Sequence, residues 1–160
     1  NFLFLVRAYT YILRMGGDGL QGASELAVLN ANYLLSRLKR VYDHPYGGIC
    51  KHEFVLSLES MKERTGVTAL DIAKALLDNG YHPPTIYFPM IVHEALMFEP
   101  TESESMETID ELADVMIALA SMAVDDASQL KQAPVTTVVG RVDEVLAAKN
   151  PVLRWLPEIN

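Results

Sequence analysis

Cysteine is almost absent from this sequence of 160 residues, which contains only Cys50. A single cysteine excludes a disulfide within the chain, so the fold depends on its apolar core. Half of the residues are hydrophobic, which is enough at this length for one domain with a sizeable core. A reducing compartment suits such a chain, and we expect a cytoplasmic protein.

Basic residues are scarce in the second half of the chain. Residues 1–80 hold nine Lys and Arg against eight Asp and Glu, whereas residues 81–160 hold four against thirteen. Because binding to the phosphate backbone requires clustered Lys and Arg, nucleic acid is not an expected partner. The acidic excess predicts a solvated face.

No apolar run is long enough to cross a bilayer, which takes about 20 residues. The longest begins at Phe2, is interrupted by Arg7 and Arg14, and ends at Gly16. A helix that is apolar on almost every side should be covered by other protein. The chain also begins at Asn1 without a methionine, and we expect it to be a piece of a longer polypeptide.

The four histidines do not form a metal-binding pattern. His52-Glu53 and His93-Glu94 are adjacent pairs on predicted strands, where successive side chains point to opposite faces. Cys50 and His52 can converge, but two ligands do not make a zinc site. No serine or cysteine has the surroundings of a nucleophile, so we predict neither a metal site nor a catalytic residue in this chain.

The periodicity predicts an α+β fold that begins with a helical hairpin. One helix should span residues 2–15 and end at Gly16, and a second should run over residues 18–41 with Asp18 as N-cap and Gln21 in support. A half-buried strand is predicted over residues 52–58, where apolar side chains alternate.

Further elements follow along the chain. Thr68 and Asp71 should open a short helix that ends at Gly80, and residues 86–88 and 91–98 should be strands. The links are too short for parallel crossovers, so the small sheet should be mostly antiparallel and packed by helices. An acidic helix places one apolar stripe on the sheet, formed by Met106, Ile109, Leu112, Ala113, Met116, Ile117 and Ala120. A last short helix is expected near residues 142–148.

Residues 94–105, EALMFEPTESES, join a strand to the acidic helix. Pro100 disfavours helix at Glu99, and Thr101 can cap the next helix with Glu104 reaching back as its capping-box partner. Glu102 then lies where the helix dipole favours anions. The segment is either a well-built junction alone or also a functional signature.

Several strings in this order resemble the C-terminal domain of the glycine-decarboxylating P-protein of the glycine cleavage system. The strings are LVRAY at 5–9, SELAVLNANYL at 24–34, HEFVL at 52–56, DNGYHPPTIYFP at 78–89 and the junction at 94–105. The resemblance covers the chain from residue 1 to about residue 154 and implies the C-terminal small domain of a fold-type I pyridoxal phosphate enzyme. Met106 departs from the family, which commonly has lysine there.

The resemblance implies a complete enzyme that uses pyridoxal phosphate to decarboxylate glycine and passes the aminomethyl group to lipoylated H-protein. Its further partners would be the rest of subunit 2 and P-protein subunit 1. The family's Schiff-base lysine follows a histidine and precedes a glycine-rich stretch, whereas this chain has only the reversed Lys51-His52. We therefore expect no cofactor on this chain by itself. Because no apolar run is long enough to cross a bilayer, we expect no membrane partner either.

His82 and Thr85 are the candidates for a substrate entrance, because Pro83 and Pro84 hold them rigidly at the start of a strand. The alternative is a stiff loop with a solvent-facing histidine. The signature residues, expected to be mainly structural, are His52, Glu53, Glu99, Pro100, Thr101, Glu102 and Glu104.

We expect three parts: an interdomain helical segment at 1–42, an α+β domain at 43–130, and a connector with a short helix at 131–160. A different hypothesis, a stand-alone binding or regulatory module that oligomerises through its helical start, stays open at this point.

Overall fold

A computed structural model describes residues 1–155 of the chain. It contains six helices and three strands in this part. In chain order they are α1 (Phe2–Leu38), β1 (Phe54–Ser57), α2 (Glu59–Thr65), α3 (Ala69–Asp78), β2 (Thr85–Ile86), β3 (Ala95–Phe98), α4 (Met106–Asp125), α5 (Ala127–Gln132) and α6 (Glu144–Lys149). The α+β class is confirmed.

The three strands form one antiparallel sheet with β3 in the centre, in the order β1-β3-β2. Phe54 pairs with Phe98, and Thr85 pairs with Met97. The rings of Phe54 and Phe98 stack with their centroids 5.5 Å apart. The prediction of a small antiparallel sheet is confirmed.

One apolar core joins the C-terminal part of α1, the sheet, α3 and α4. Its fully buried large side chains include Leu34, Leu38, Leu56, Ile72, Leu76, Leu96 and Met116. Tyr42, just after α1, is also buried and donates its hydroxyl to the Met116 carbonyl at 2.8 Å. Burial raises the pKa of Tyr42 well above its usual range, so this phenol stays a hydrogen-bond donor.

The first helical region is broken where the sequence predicts it. Gly16 has φ 64° and ψ −175°, a conformation that is almost exclusive to glycine, and helix resumes after it. The predicted cap at Asp18 is wrong: within the described residues its side chain makes no capping bond, and Gln21 instead donates to Glu25 at 2.7 Å. The region ends at Leu38, three residues before the predicted end at Val41.

The start of α3 follows the prediction closely. Thr68 is the N-cap, its hydroxyl accepts from the Asp71 amide at 3.2 Å, and the Asp71 carboxylate accepts from the Thr68 amide at 2.8 Å. This reciprocal pair satisfies two amides that a helix start leaves without partners.

The predicted strands are longer than the observed ones. Tyr87 has φ 61° and Glu94 has φ 49°, and these left-handed residues bound the loop between β2 and β3. The carboxylate of Glu94 holds its end of the loop by accepting from Lys62 at 2.6 Å and from the Ala69 amide at 2.8 Å. Residues between 87 and 94 therefore leave the sheet.

Burial of β1 also differs from the prediction. All four of its residues are buried, including Val55 and Ser57 on the side that the alternation assigned to solvent. The hydroxyl of Ser57 donates to the His93 carbonyl at 2.9 Å, so the loop before β3 covers that side. The prediction of a half-buried strand is wrong, because the local alternation cannot show that a loop distant in sequence covers the second face.

Of the remaining helices, α4 and α6 were predicted from the sequence, whereas α2 and α5 were not. Helix α4 buries Ile109, Ala113, Met116 and Ala120 as predicted, whereas Met106 is exposed. The last helix, α6, is confirmed, and α2 and α5 are elements that the sequence interpretation did not identify. The end of the predicted C-terminal connector, residues 156–160, lies outside the described residues. None of the described helices combines the length and apolar run needed to cross a membrane.

Candidate functional site

The segment between β3 and α4 runs along the edge of the core and is called here the rim segment, residues 99–104. Pro100 is buried, while Glu99 and Glu104 are exposed. The amide of Glu104 bonds to the Thr101 carbonyl at 3.3 Å, and the hydroxyls of Thr101 and Ser103 lie 2.7 Å apart. The rim segment is thus a turn and not the first turn of a helix.

The predicted cap of the acidic helix is wrong. Helix α4 begins at Met106, its N-cap is Ser105, and the Ser105 hydroxyl accepts from the Thr108 amide at 3.2 Å. Glu104 precedes this cap and therefore cannot act as a capping-box partner from the third helical position. The sequence analysis predicted Thr101 and not Ser105, and a distant contact to residues 101 and 104 favours the later helix start.

That contact comes from Asn30 in α1. Its side-chain Nδ2 donates to the Thr101 carbonyl at 2.9 Å and to the Glu104 carbonyl at 3.2 Å. Asn30 is only 8% exposed. Asn30 lies in one of the strings that resemble the family, but the sequence analysis gave it no role. It precedes the buried Leu34 and Leu38 by four and eight residues, so the three lie on one face of the helix. The signal in the sequence was a side-chain amide at a position where helical spacing predicts a buried apolar residue.

A cavity of about 450 Å³ lies beside the rim segment and is called here cavity 1. Leu34, Phe98 and Ile109 contribute apolar wall. Polar wall comes from His82, Thr85, Glu99, Glu104 and Thr108. The structure therefore brings the two predicted entrance residues together with three of the signature residues, since Pro100 lines the cavity as well.

The side chains at this cavity have chemically distinct capacities. His82 is exposed, and within the described part of the chain neither its side chain nor that of Thr85 makes a hydrogen bond. Tyr81 also lines the cavity, and burial together with the charge of Glu111 raises the pKa of its phenol. The phenol is therefore a hydrogen-bond donor at neutral pH and not a base.

A second cavity of about 460 Å³, cavity 2, lies on the other side of Glu99 and Pro100. Tyr11, Ala23 and Ala27 contribute wall from both sides of the Gly16 break in α1. Its remaining wall includes Lys51, His52, Thr101 and Glu102. Because Glu99 and Pro100 line both cavities, the rim segment is the partition between them.

The signature histidine faces this partition. His52 Nε2 lies 3.9 Å from Glu99 Oε1 and 4.0 Å from Glu53 Oε2. All three side chains are about half exposed, so these contacts contribute little to stability and only when His52 is protonated. Glu53 lines neither cavity.

The chain before His52 is fixed by Asn32. Its side chain accepts from the Cys50 amide at 2.9 Å and donates to the Cys50 carbonyl at 2.7 Å. Burial raises the pKa of the Cys50 thiol, which outweighs the lowering by a backbone amide. Cys50 is accordingly a structural residue and not an activated nucleophile.

Within the described residues, the side chains at the two cavities fit neither a metal ion nor a lysine that forms a Schiff base with the cofactor aldehyde. The part of the chain that the structure describes contains no group of three or more His, Cys, Asp or Glu that could hold a metal ion. Of the six lysines, only Lys51 lines one of the two cavities, and it is exposed. What cavity 1 can do is hold an amphipathic molecule between an apolar wall and an acidic rim.

Comparison with known proteins assigns this chain to one family. Residues 23–139 match the family described as glycine dehydrogenase, C-terminal domain. A protein of Treponema denticola named probable glycine dehydrogenase (decarboxylating) subunit 2 is 57% identical over 97% of this chain and 32% of its own length. Proteins with the same name are 59% identical in Lysinibacillus sphaericus and 56% identical in Thermotoga maritima. They are matched over 97% of this chain and over 32% and 33% of their own lengths, respectively. The chain thus spans about a third of the length of these relatives.

Proposed function

Because this chain belongs to the family of glycine dehydrogenase C-terminal domains, we propose that it serves as that domain in subunit 2 of a glycine-decarboxylating enzyme. The complete enzyme would release carbon dioxide from glycine and pass the aminomethyl group to lipoylated H-protein. Pyridoxal phosphate supplies the electron sink for such chemistry when bound. The other partners would be the rest of subunit 2 and P-protein subunit 1, and the location would be the cytoplasm, which suits a chain with one cysteine.

In this proposal the cofactor lysine lies outside the residues of this chain. A Schiff-base lysine has to face a pocket that excludes water, and the lysines here are exposed or half-buried. Lys62, for example, is committed to Glu94 at 2.6 Å. The domain would contribute walls to a site shared with the rest of the enzyme and would not react with the cofactor itself.

The first part of α1 supports a domain that rests on other protein. Phe2, Leu3 and Phe4 are each at least 65% exposed, an unfavourable state for three consecutive large apolar side chains. We propose that residues 1–42 connect the α+β domain at 43–130 to the remainder of the enzyme, and that residues 131–160 form a C-terminal connector. The alternative of a stand-alone regulatory module is disfavoured, because the matched relatives are named as subunits of an enzyme.

Cavity 1 carries the proposal for the site. His82 and Thr85 line this cavity together with residues of the rim segment, as expected of a substrate entrance formed by these residues. The apolar wall can hold the hydrocarbon part of an entering molecule, while His82 and the carboxylates Glu99 and Glu104 orient its polar end. Glu99, Pro100 and Glu104 would then serve both the fold and the entrance.

The test uses full-length subunit 2 assembled with subunit 1. His82→Gln should lower kcat/KM for glycine-dependent release of carbon dioxide by roughly tenfold or more, because a group that orients or protonates a substrate typically contributes that much. His93→Gln is the matched control, since His93 is exposed and lines neither cavity. Wild-type kinetics for His82→Gln would reject the entrance, and absence of any glycine decarboxylation by the unmodified assembly would reject the proposed function.

A further inference from the structure

Asn30 provides an unusual connection between two distant parts of the chain. Its single Nδ2 donates to two carbonyl groups of the rim segment, and it is almost fully buried on the row of α1 that continues with Leu34 and Leu38. An unprotonated carboxylate of the same shape has no proton to donate to those carbonyls. The two bonds therefore need two donated protons, which the neutral amide of Asn30 supplies from one nitrogen.

No other side chain outside the rim segment bonds to the backbone of residues 101–104 within the described part of the structure. The remaining bonds of this turn are local, from Glu104 to Thr101 and between the hydroxyls of Thr101 and Ser103. Among the described residues, the hydrogen bonds that hold this turn to α1 thus come from Asn30.

The packing of α1 on α4 is secured independently. Tyr33 donates to the Asp110 carboxylate at 2.7 Å, and Arg37 pairs with Asp110 and, at 2.8 Å, with Asp114. These contacts lie one and two turns beyond Asn30 and have the buried leucines beneath them. Loss of the Asn30 amide should therefore release the rim segment without separating the two helices.

We propose that Asn30 is a positioning residue for the entrance, and that its amide fixes the partition between cavity 1 and cavity 2. By holding both ends of the turn, it sets where the carboxylates of Glu99 and Glu104 stand at the wall of cavity 1. This inference rests on the proposed function for its catalytic consequence but not for its structural one.

The structural test is hydrogen–deuterium exchange on full-length subunit 2 assembled with subunit 1. Asn30→Leu and Asn30→Asp should each accelerate exchange in peptides that cover residues 99–105 while leaving the centre of α4 protected. Asn32→Asp is the matched control: it lies on the same helix and holds Cys50 instead, so it should not change exchange in residues 99–105. Wild-type exchange in the rim segment of both Asn30 variants would overturn the inference.

The kinetic test separates positioning from folding. The same Asn30 variants should raise KM by up to about thirtyfold with kcat retained, because the loss is bounded by two neutral hydrogen bonds and the rim is an entrance. Asn30→Asp should recover partly as the pH falls, since a protonated carboxyl can donate to one of the two carbonyls. A loosened rim with unchanged KM would overturn the positioning role, whereas wild-type turnover of His82→Gln would overturn the entrance itself.

Discussion

At the scale of single residues, the start of α4 depends on Ser105. Its hydroxyl satisfies the Thr108 amide, so Ser105→Ala should lower the free energy of unfolding by about 1 kcal/mol, the usual cost of an N-cap. Thr101→Ala should cost less than about 0.5 kcal/mol, because within the described residues the hydroxyl bonds only to Ser103 and is exposed. Urea unfolding of the two variants decides the matter, and an equal loss for Thr101→Ala would restore Thr101 as the cap.

A second residue-scale prediction concerns Asp71, whose carboxylate joins α3 to the C-terminal connector. It accepts from the Thr68 amide and hydroxyl at 2.8 Å each, and it pairs with Arg141 at 2.7 Å. Burial by itself raises the pKa of Asp71, but these donors and the guanidinium outweigh it and hold the pKa below the ordinary 3.8.

The direction of this shift sets the pH dependence. Because the folded pKa lies below the unfolded one, the stabilisation by Asp71 is complete above about pH 4 and is lost as the pH falls through the folded pKa. Asp71→Asn should therefore lower the free energy of unfolding at neutral pH and flatten its decline in acid. Asp125→Asn, on an exposed residue at the end of α4, is the control. An acid decline as steep in Asp71→Asn as in the wild type would contradict the assignment.

At the scale of elements, the break in α1 depends on Gly16. Any side chain in its conformation is strained by about 1–3 kcal/mol, although a Cβ there would meet no atom within 4 Å. Gly16→Ala should therefore convert the region into a straighter helix, which alanine favours over glycine by about 1 kcal/mol.

The change is measurable as a distance between spin labels at residues 7 and 25. In a straight helix these positions are about 27 Å apart, and any bend at Gly16 makes the distance shorter. Gly17→Ala is the matched control, because Gly17 lies within the helix without a left-handed φ and has open space around it. An unchanged distance in Gly16→Ala would show that contacts beyond α1 impose the bend.

At the scale of the whole molecule, the exposed start of α1 should make the isolated chain associate with itself. Phe2, Leu3, Phe4 and Leu5 are each at least 65% exposed, and burying them between copies removes apolar area from water. Sedimentation velocity should show a mass that rises with concentration, and Phe4→Lys should shift the equilibrium towards monomer.

Val138→Lys tests whether the association is specific to α1. Val138 is fully exposed in the C-terminal connector, away from the start of the chain in sequence, and its substitution should leave the association unchanged. A monomeric wild-type chain would contradict the prediction, and an equal effect of Val138→Lys would move the contact to the connector.

The sequence by itself determined the features that near neighbours control. The capping box of Thr68 and Asp71 and the break at Gly16 follow from residues within one helical turn. The buried row of Ile109, Ala113, Met116 and Ala120 follows from helical periodicity. The sequence named His82 and Thr85 as entrance candidates but did not place them beside the junction; they line cavity 1 together with Glu99 and Glu104 only in the tertiary structure.

Tertiary structure decided what depends on residues far apart in the chain. Asn30 donates to carbonyl groups 71 and 74 residues away in sequence. These bonds hold residues 101–104 as a turn outside the helix, which begins after the Ser105 cap. The covered second face of β1 likewise depends on a carbonyl 36 residues away. Local spacing favoured Thr101, because Glu104 follows it by three residues, although a serine such as Ser105 is also a common N-cap residue. The choice came from satisfying two carbonyl groups with a buried amide, a constraint that exists only once α1 lies against α4.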